Sequence, residues 1–201
     1  MRIVEKLEKD GEGLNLTWEV RDGILNHEME LRASTLEGRI VRLCDKIAYI
    51  NADFDDGIRA NILEEEDIPL ELRKELGYDT KSRLDYLIHD IITNSMDRDD
   101  ICMSDGAYQA FIELRKFMFA NLYTNPIAKS EEVKAEAMVE QLYHYYMEHL
   151  DILPEKHIRM LENGEEKSIV VCDYIAGMTD QYAIMKFEEF YIPVAWHVDG
   201  Y

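Results

Sequence analysis

The chain has 201 residues, of which 47% are hydrophobic and 32% are charged, a composition typical of soluble globular proteins. Its 42 acidic residues outnumber 22 basic ones, and the formal net charge of −20 argues against a general nucleic-acid-binding surface. No apolar run reaches the roughly 18 residues of a membrane span, residues 1–13 do not resemble a signal peptide, and three cysteines without metal-ligand spacing fit reduced thiols in the cytoplasm.

Helical periodicity begins at the first residues of the chain. Short helices are predicted over residues 1–9 and 17–27. A long helix is predicted to begin at Ser34 and to run to about Leu63. Ser34 and Glu37 have the spacing of a capping box, with Ser34 as the N-cap and Glu37 as the third helical residue.

The rest of the chain is predicted to be helical as well. The further helices are expected over residues 69–76, 80–95, 104–122, 130–149, 153–161 and 166–190. Within them, a stripe at helical spacing is expected to pack in a core and consists of Tyr143, Tyr146, Met147 and Leu150. No strand-type alternation stands out. The sequence therefore predicts an all-α fold, a multi-helix bundle.

The long predicted helix has a polar stripe on one side. Asp45, Tyr49 and Asp53 follow one another at i, i+4 and i+8, and Arg42 and Asp56 extend the row. The opposite face is apolar and is made of Leu36, Ile40, Leu43, Ile47, Ile50, Phe54 and Ile58. Periodicity alone does not separate a functional stripe from an ordinary solvated face.

Three segments carry a family resemblance. They are GLNLTWEV at residues 13–20, TLEGRIVRLCDKIAYIN at 35–51 and DYIAGMTD at 173–180. The chain resembles the bacterial deoxynucleoside triphosphate triphosphohydrolases, often called dGTPases, of the HD-domain superfamily. The resemblance covers nearly all 201 residues. It implies an HD-domain-like helical bundle that uses a divalent metal, Mg²⁺ or Mn²⁺, to hydrolyse a dNTP, with dGTP favoured, to deoxynucleoside and triphosphate.

The resemblance also implies roles for four residues of the long helix. Asp45 corresponds to a metal ligand, and Lys46 and Tyr49 correspond to residues that bind the phosphate chain. Asp53 corresponds to the acceptor for the 3′-hydroxyl of the sugar. Each has a plainer alternative, because a surface carboxylate, a border lysine or a tyrosine at a helix interface has the same pattern. Ala52 departs from the family, many of whose members have His at this position.

A second candidate region is the segment of Asp173, Tyr174 and Asp180. The resemblance implies that the helix containing it borders the nucleotide pocket. If residues 166–190 form one helix, Asp173, Gly177 and Asp180 share a face. The alternative is a helix-packing motif, in which Gly177 permits a close approach.

The metal-ligand set of the family is incomplete in this sequence. The His and the His-Asp pair that precede the later Asp in the family are not found before Asp45. His89-Asp90 follows Asp45 in the wrong order, so we expect it to be structural. The resemblance therefore suggests a C-terminal portion, incomplete at the N-terminal side. Residues 1–66 are expected to belong to the HD-type catalytic core, and residues 67–201 to a helical region packed on it. The two parts are expected to form one structural unit.

Three hypotheses follow for function. The chain is part of a dNTP triphosphohydrolase that is active only together with the missing ligands. Alternatively, it is a non-catalytic helical module for nucleotide binding or oligomerisation, or an inert product of a disrupted gene. A homo-oligomer is expected, because the absent helices would normally cover part of the core, and the apolar surface left exposed favours self-association.

Overall fold

The structure is a computed structural model that describes residues 1–28, 31–126 and 129–194. These residues form α-helices, short 3₁₀ and π turns and loops, and contain no strand. The helices are α1 (Trp18–Leu25), α2 (Leu36–Arg59), α3 (Leu70–Leu76), α4 (Thr80–Ser95), α5 (Asp105–Met118), α6 (Glu132–Glu148), α7 (Glu155–Glu162), α8 (Lys167–Ala176) and α9 (Asp180–Tyr191). The all-α prediction is confirmed. None of the described helices is long and apolar enough to cross a membrane.

The start of α2 corrects the predicted cap by one residue. Thr35 is the N-cap, and its hydroxyl oxygen accepts a hydrogen bond from the backbone N–H of Gly38 at 3.2 Å. Ser34 instead donates its backbone N–H and its hydroxyl to the carboxylate of Asp22 in α1. The predicted capping box was wrong because Ser34 bonds to another helix.

The chain divides into two compact units. The first unit comprises residues 1–5 and 14–130, and the second comprises residues 6–13 and the chain from residue 131 onward. The predicted division after residue 66 concerns membership of a catalytic core, and it stays a prediction.

The core of the first unit is built by α2 to α5. α2 contributes Leu43, Ile47, Ile50 and Phe54, which were predicted on its apolar face. Leu36, Ile40 and Ile58 from the same predicted face are exposed instead. Periodicity thus placed the middle of the face correctly, whereas the residues near both helix ends lie outside the core. The other helices fill this core mainly with Leu76, Leu87, Ile91, Phe111, Leu114 and Met118.

A buried arginine forms a hydrogen bond to the middle of α2 on the buried side of that helix. The side chain of Arg83 in α4 is 1% exposed, and its Nε donates to Asn51 Oδ1 of α2 at 2.8 Å. A second nitrogen forms an ion pair with Glu65 Oε1 at 2.7 Å, and the guanidinium lies 5.2 Å from the ring centre of Phe54. Asn51 in turn donates to the carbonyl oxygen of Ile47 at 2.7 Å. These bonds compensate for burial of the charge and hold α2 against α4.

The second unit has a separate, partly aromatic core. Its buried residues are Leu142, Tyr146, Leu153, Val170, Val171 and Ala183. Tyr143 and Met147 of α6 pack partly buried against them, as does Leu150 in the 3₁₀ turn after α6, so the stripe that was predicted to pack in a core does so. Tyr145 stacks on Phe190 of α9 with ring centres 4.1 Å apart.

The helix predicted over residues 166–190 is two helices. α8 ends at Ala176, and Gly177 is its C-cap. Thr179 then caps α9, because its hydroxyl oxygen accepts the backbone N–H of Tyr182 at 3.2 Å. The prediction of one helix was wrong because glycine is a poor helix former and a following threonine offers a new N-cap.

Candidate functional site

α1 and α2 cross closely at two glycines. A Cβ added at Gly38 would lie 2.6 Å from the Cβ of Ala33 and 3.3 Å from the Cα of Gly23. The helices are also joined by Asp22, whose carboxylate accepts the backbone N–H of Ser34 at 2.6 Å. The sequence places glycine where the two backbones meet, so α1 is held against the first turns of α2.

A mainly apolar open groove of about 590 Å³ lies between these helices. The residues lining it include Val20, Gly23, Ile24, Gly38, Val41 and Asp45. We refer to it as the α1–α2 groove. Of the residues predicted to bind metal or substrate, Asp45 is the one that lines it.

Asp45 and Lys46 form an ion pair beside the groove. The Lys46 Nζ lies 3.0 Å from Asp45 Oδ2, and each side chain is about a quarter exposed. An ammonium group has three N–H donors, so Lys46 retains donors for further acceptors such as phosphate oxygens.

Tyr49 and Asp53 occupy the next two turns of α2. Tyr49 is 60% exposed, which leaves its phenol free of the core. Asp53 is half-buried, and its Oδ2 accepts a hydrogen bond from the hydroxyl of Tyr123 at 2.5 Å. Burial, together with the bond to Asp53, raises the pKa of Tyr123 well above its usual value, so its hydroxyl stays a donor at neutral pH.

Tyr123 bonds to a predicted site residue, Asp53, and was not itself predicted from the sequence. It lies in the π-helical turn Phe119–Tyr123 after α5, seventy residues from Asp53 in the chain. No local pattern links residues at that separation, because the contact depends on how α5 packs against α2. The one available signal in the sequence was the aromatic residues near the end of a predicted helix. Such residues are equally typical of core packing.

The four predicted residues of α2 lie on one continuous helix. Asp45 and Asp53 are eight residues apart, about 12 Å along the axis at a rise of 1.5 Å per residue. The acid–lysine pair lies toward one end, the phenol is central, and the tyrosine-bound carboxylate is at the other end. The arrangement suits a ligand with an anionic end and a hydroxyl-bearing end.

The described part of the chain does not fit a catalytic metal. It contains no group of three or more His, Cys, Asp and Glu side chains placed to hold an ion. Mg²⁺ requires near-octahedral coordination, and a single carboxylate already paired with a lysine leaves most positions to other donors. Asp45 therefore contributes at most one ligand, and its metal-binding role stays a prediction.

The second candidate region contributes to packing in the second unit. Asp173 and Tyr174 belong to α8, whereas Asp180 is the first residue of α9 and is exposed. The face predicted for Asp173, Gly177 and Asp180 does not exist, because the helix ends between them.

Tyr174 is part of an aromatic cluster. Its hydroxyl lies 3.0 Å from that of Tyr182, and its ring centre lies 5.0 Å from those of Tyr146 and His157. Burial first, and then these hydroxyl contacts, raise the pKa of Tyr174. Such packing supports the helix-packing alternative for Tyr174, while the pocket role of the segment stays a prediction.

His89-Asp90 has structural partners. The His89 ring is exposed and its Nδ1 lies 2.9 Å from the carbonyl oxygen of Asp85. Asp90 accepts hydrogen bonds from the backbone N–H of Ser104 at 2.8 Å and from the Asn94 amide at 3.0 Å. These bonds fix the entry to α5 and support the structural interpretation.

Comparison with known proteins identifies relatives that match nearly all of the chain. Residues 101–189 match the family model described as phosphohydrolase-associated domain. Three similar proteins bear the name deoxyguanosinetriphosphate triphosphohydrolase-like protein. The one from Caldanaerobacter subterraneus subsp. tengcongensis is 47% identical over 98% of this chain and 58% of its own length. The one from Clostridium perfringens strain 13 is 41% identical over 96% and 59%, and that from Desulfatibacillum aliphaticivorans is 35% identical over 96% and 60%.

These matches confirm the resemblance drawn from the three sequence segments. The chain spans about three fifths of the length of these curated relatives.

Proposed function

We propose that this chain, a relative of the deoxyguanosinetriphosphate triphosphohydrolase-like proteins, provides the nucleotide-contacting helix of a metal-dependent dNTP triphosphohydrolase. The substrate class is a dNTP, with dGTP favoured by the names of the relatives. The main support is the order of Asp45, Lys46, Tyr49 and Asp53 along one continuous helix, in a chain 47% identical to such a relative.

At the phosphate end, Lys46 is the principal group. In the proposed reaction a water oxygen bonds to the α-phosphorus, and the bond from that phosphorus to the 5′ oxygen breaks. The deoxynucleoside leaves with a proton on its 5′ oxygen, and triphosphate is released. The Lys46 ammonium offsets the negative charge that develops on the phosphate oxygens, and the exposed Tyr49 hydroxyl donates a hydrogen bond to the same chain.

At the sugar end, Asp53 accepts the hydrogen bond of the deoxyribose 3′-hydroxyl. A carboxylate has more acceptor sites than the single one used by Tyr123, so it accepts both hydroxyls together. Tyr123 fixes the carboxylate before the ligand arrives, which lowers the cost of ordering it on binding.

The proposal includes a divalent metal, Mg²⁺ or Mn²⁺, only if donors other than Asp45 complete its coordination. Because the described residues offer no complete ligand set, no step is assigned to the metal.

The same incomplete ligand set favours a second candidate, a module that binds a nucleotide without hydrolysing it. Lys46, Tyr49 and Asp53 would then have the same contacts. The two candidates differ in turnover alone.

The test measures triphosphate release from dGTP with Mn²⁺ or Mg²⁺. It compares the 201-residue chain with an extended chain. The extended chain also contains the part of the Caldanaerobacter relative that lies outside the alignment, joined to this chain in the order found in that relative. We expect release by the extended chain alone. Nucleotide binding without release by either chain would favour the non-catalytic module, and neither binding nor release would reject both.

Two substitutions in the extended chain identify the contacts. Lys46→Met should lower kcat about 100-fold, the loss typical of one charge-stabilising donor. Asp53→Asn should raise KM about tenfold through a weakened hydrogen bond. Lys74 and Glu71 form an exposed ion pair on α3. Lys74→Met and Glu71→Gln are therefore matched controls and should leave both kcat and KM unchanged.

A further inference from the structure

The first half of α6 extends beyond the core of the second unit. The buried residues of this helix are Leu142 and Tyr146, which both lie in its second half. Residues 132–137 are all exposed, and Val133 and Val139 are 73% and 43% exposed. Short helical segments without tertiary packing are marginally stable in water, so this part of α6 would be stabilised by a partner that covers it.

An open groove of about 740 Å³ lies between this part of α6 and α8. We refer to it as the α6–α8 groove. Its apolar lining residues are Ala135, Val139, Tyr143, Cys172, Ile175 and Ala176. The three that belong to α6 follow at spacings of four residues and form one row along the helix. The alanines and the cysteine are small and allow another backbone to approach closely, so the lining suits the apolar face of a helix.

The groove is also lined by a row of carboxylates. Glu132, Glu136 and Glu140 follow at spacings of four residues, beside the apolar row. Glu140 Oε1 lies 3.9 Å from His144 Nε2, at the limit of an ion pair. The single lysine of α6, Lys134, lies outside the lining and is paired with another glutamate at 2.8 Å. The described lining contains no lysine or arginine, so this acidic row favours a partner of opposite charge.

We infer that the α6–α8 groove is a docking site for a basic amphipathic helix of a partner protein. The apolar face of that helix packs on Val139 and Ile175, and its lysines or arginines pair with Glu136 and Glu140. Residues 132–143 extend over about 17 Å of helix axis, roughly three turns of an α-helix. A second copy of this chain is disfavoured, because its own net charge of −20 repels the acidic row. The inference does not depend on the proposed function.

The test uses a synthetic peptide, with the thiol of Cys172 as the reporter. The peptide has about 15 residues, with leucine at helical spacing and lysine on both sides of the leucine row. Cys172 is exposed and lines the groove. The peptide at ten times its Kd should slow alkylation of Cys172 by iodoacetamide about tenfold, because roughly a tenth of the sites then stay open. Cys44, which is exposed on α2 in the first unit, is the internal reference.

Two control peptides test the chemistry of the occupant. One has glutamate in place of each lysine, and the other has the same composition with the leucine spacing shuffled. Neither should protect Cys172. Binding of the lysine peptide, measured by fluorescence anisotropy, should weaken as the salt concentration rises, because ion pairs at an exposed rim are screened.

Substitutions on α6 locate the bound peptide. Glu136→Gln together with Glu140→Gln should raise the Kd of the lysine peptide about fivefold, the effect of two exposed ion pairs. Val139→Asp should raise it about tenfold or more, because it places a charge in the apolar row. Both positions of the charge change and Val139 are exposed, so urea midpoints should show that these variants fold.

Matched controls change the same residue types outside the groove. Glu162→Gln together with Glu188→Gln removes two exposed charges, one from α7 and one from α9. Val133→Asp introduces a charge at an exposed valine of α6 that does not line the groove. Each control should change the Kd by less than about twofold, because charges farther than a Debye length from the peptide are screened.

Equal binding of the lysine and glutamate peptides would overturn the inference, and so would binding that leaves Cys172 alkylation unchanged. Equal losses in the α6 variants and their controls would indicate general attraction to an acidic protein and would reject the site. The same alkylation measurement on the extended chain, and sedimentation of the 201-residue chain, test other occupants. Protection of Cys172 in the extended chain without peptide, or a dimer dissociated by Val139→Asp, would assign the groove to the chain itself and reject a separate partner.

Discussion

Two regions with equally specific sequence signatures have different structures. Residues 36–59 form one unbroken helix, so the polar stripe of Asp45, Tyr49 and Asp53 survives as predicted. Residues 167–191 are interrupted at Gly177, so Asp173 and Asp180 belong to different helices. A helical face read from spacing is therefore only as reliable as the continuity of the helix.

The difference lies in what surrounds each glycine. Gly38 and Gly57 are buried within α2, where neighbouring groups hold the helix in place. Gly177 is exposed and is followed by a threonine that caps a new helix. Tertiary contacts keep the first helix whole, whereas local capping divides the second.

The largest expected effect on stability comes from removing the buried cation that bonds to α2. Arg83→Met should destabilise the chain by about 3 kcal/mol, because Glu65 and Asn51 lose a buried partner. Urea unfolding measures the change. Arg59→Met removes an exposed ion pair with Asp56 at the end of α2 and should change stability by less than about 0.5 kcal/mol. Equal losses would show that Arg83 has no special role in holding α2.

Alanine at a glycine of each region tests the contrast directly. Gly38→Ala should destabilise by about 2 kcal/mol, because the new Cβ meets Ala33 at 2.6 Å. Gly177→Ala should change stability by less than about 0.5 kcal/mol, because its Cβ would make only ordinary contacts of 3.5 and 3.6 Å. Urea unfolding of both variants ranks them, and the reverse order would contradict the described crossing of α1 and α2.

Loss of the cap that begins α9 should have a smaller effect. Thr179→Ala should cost about 1 kcal/mol, since the Tyr182 backbone N–H loses its side-chain acceptor. Thr179→Ser keeps an acceptor oxygen and should restore most of the stability. If alanine and serine behave alike in thermal unfolding, the break after α8 does not depend on this cap.

The smallest expected effect is a pH dependence confined to the second unit. Burial lowers the pKa of His157 below its usual 6.5, so the folded chain favours the neutral ring. The unfolded chain takes up the proton as pH falls below 6.5, and the stability that His157 contributes above that pH is lost.

The change is measured as the difference between urea midpoints at pH 7.5 and 5.5. His157→Gln should reduce that difference. His89→Gln should not, because His89 is exposed on α4 in the first unit. An unchanged difference in His157→Gln would assign the acid sensitivity to other groups.

Much of this protein is determined by its sequence alone. Helix positions follow from a 3.6-residue apolar period, which is local, and most predicted helices lie within a few residues of those in the structure. The order of residues along α2 is also fixed locally, and so is the family resemblance, because continuous segments of the chain carry it.

Only the tertiary structure decided which groups meet. The bond from Tyr123 to Asp53 and the contact of Arg83 with Asn51 join residues 70 and 32 positions apart. The α1–α2 groove depends on two glycines from different helices, and the exposed ends of the apolar face of α2 depend on how far the core extends. Sequence periodicity describes one helix by itself. The free energy of a side-chain contact depends on the distance between the two groups in space, and their separation along the chain does not specify that distance.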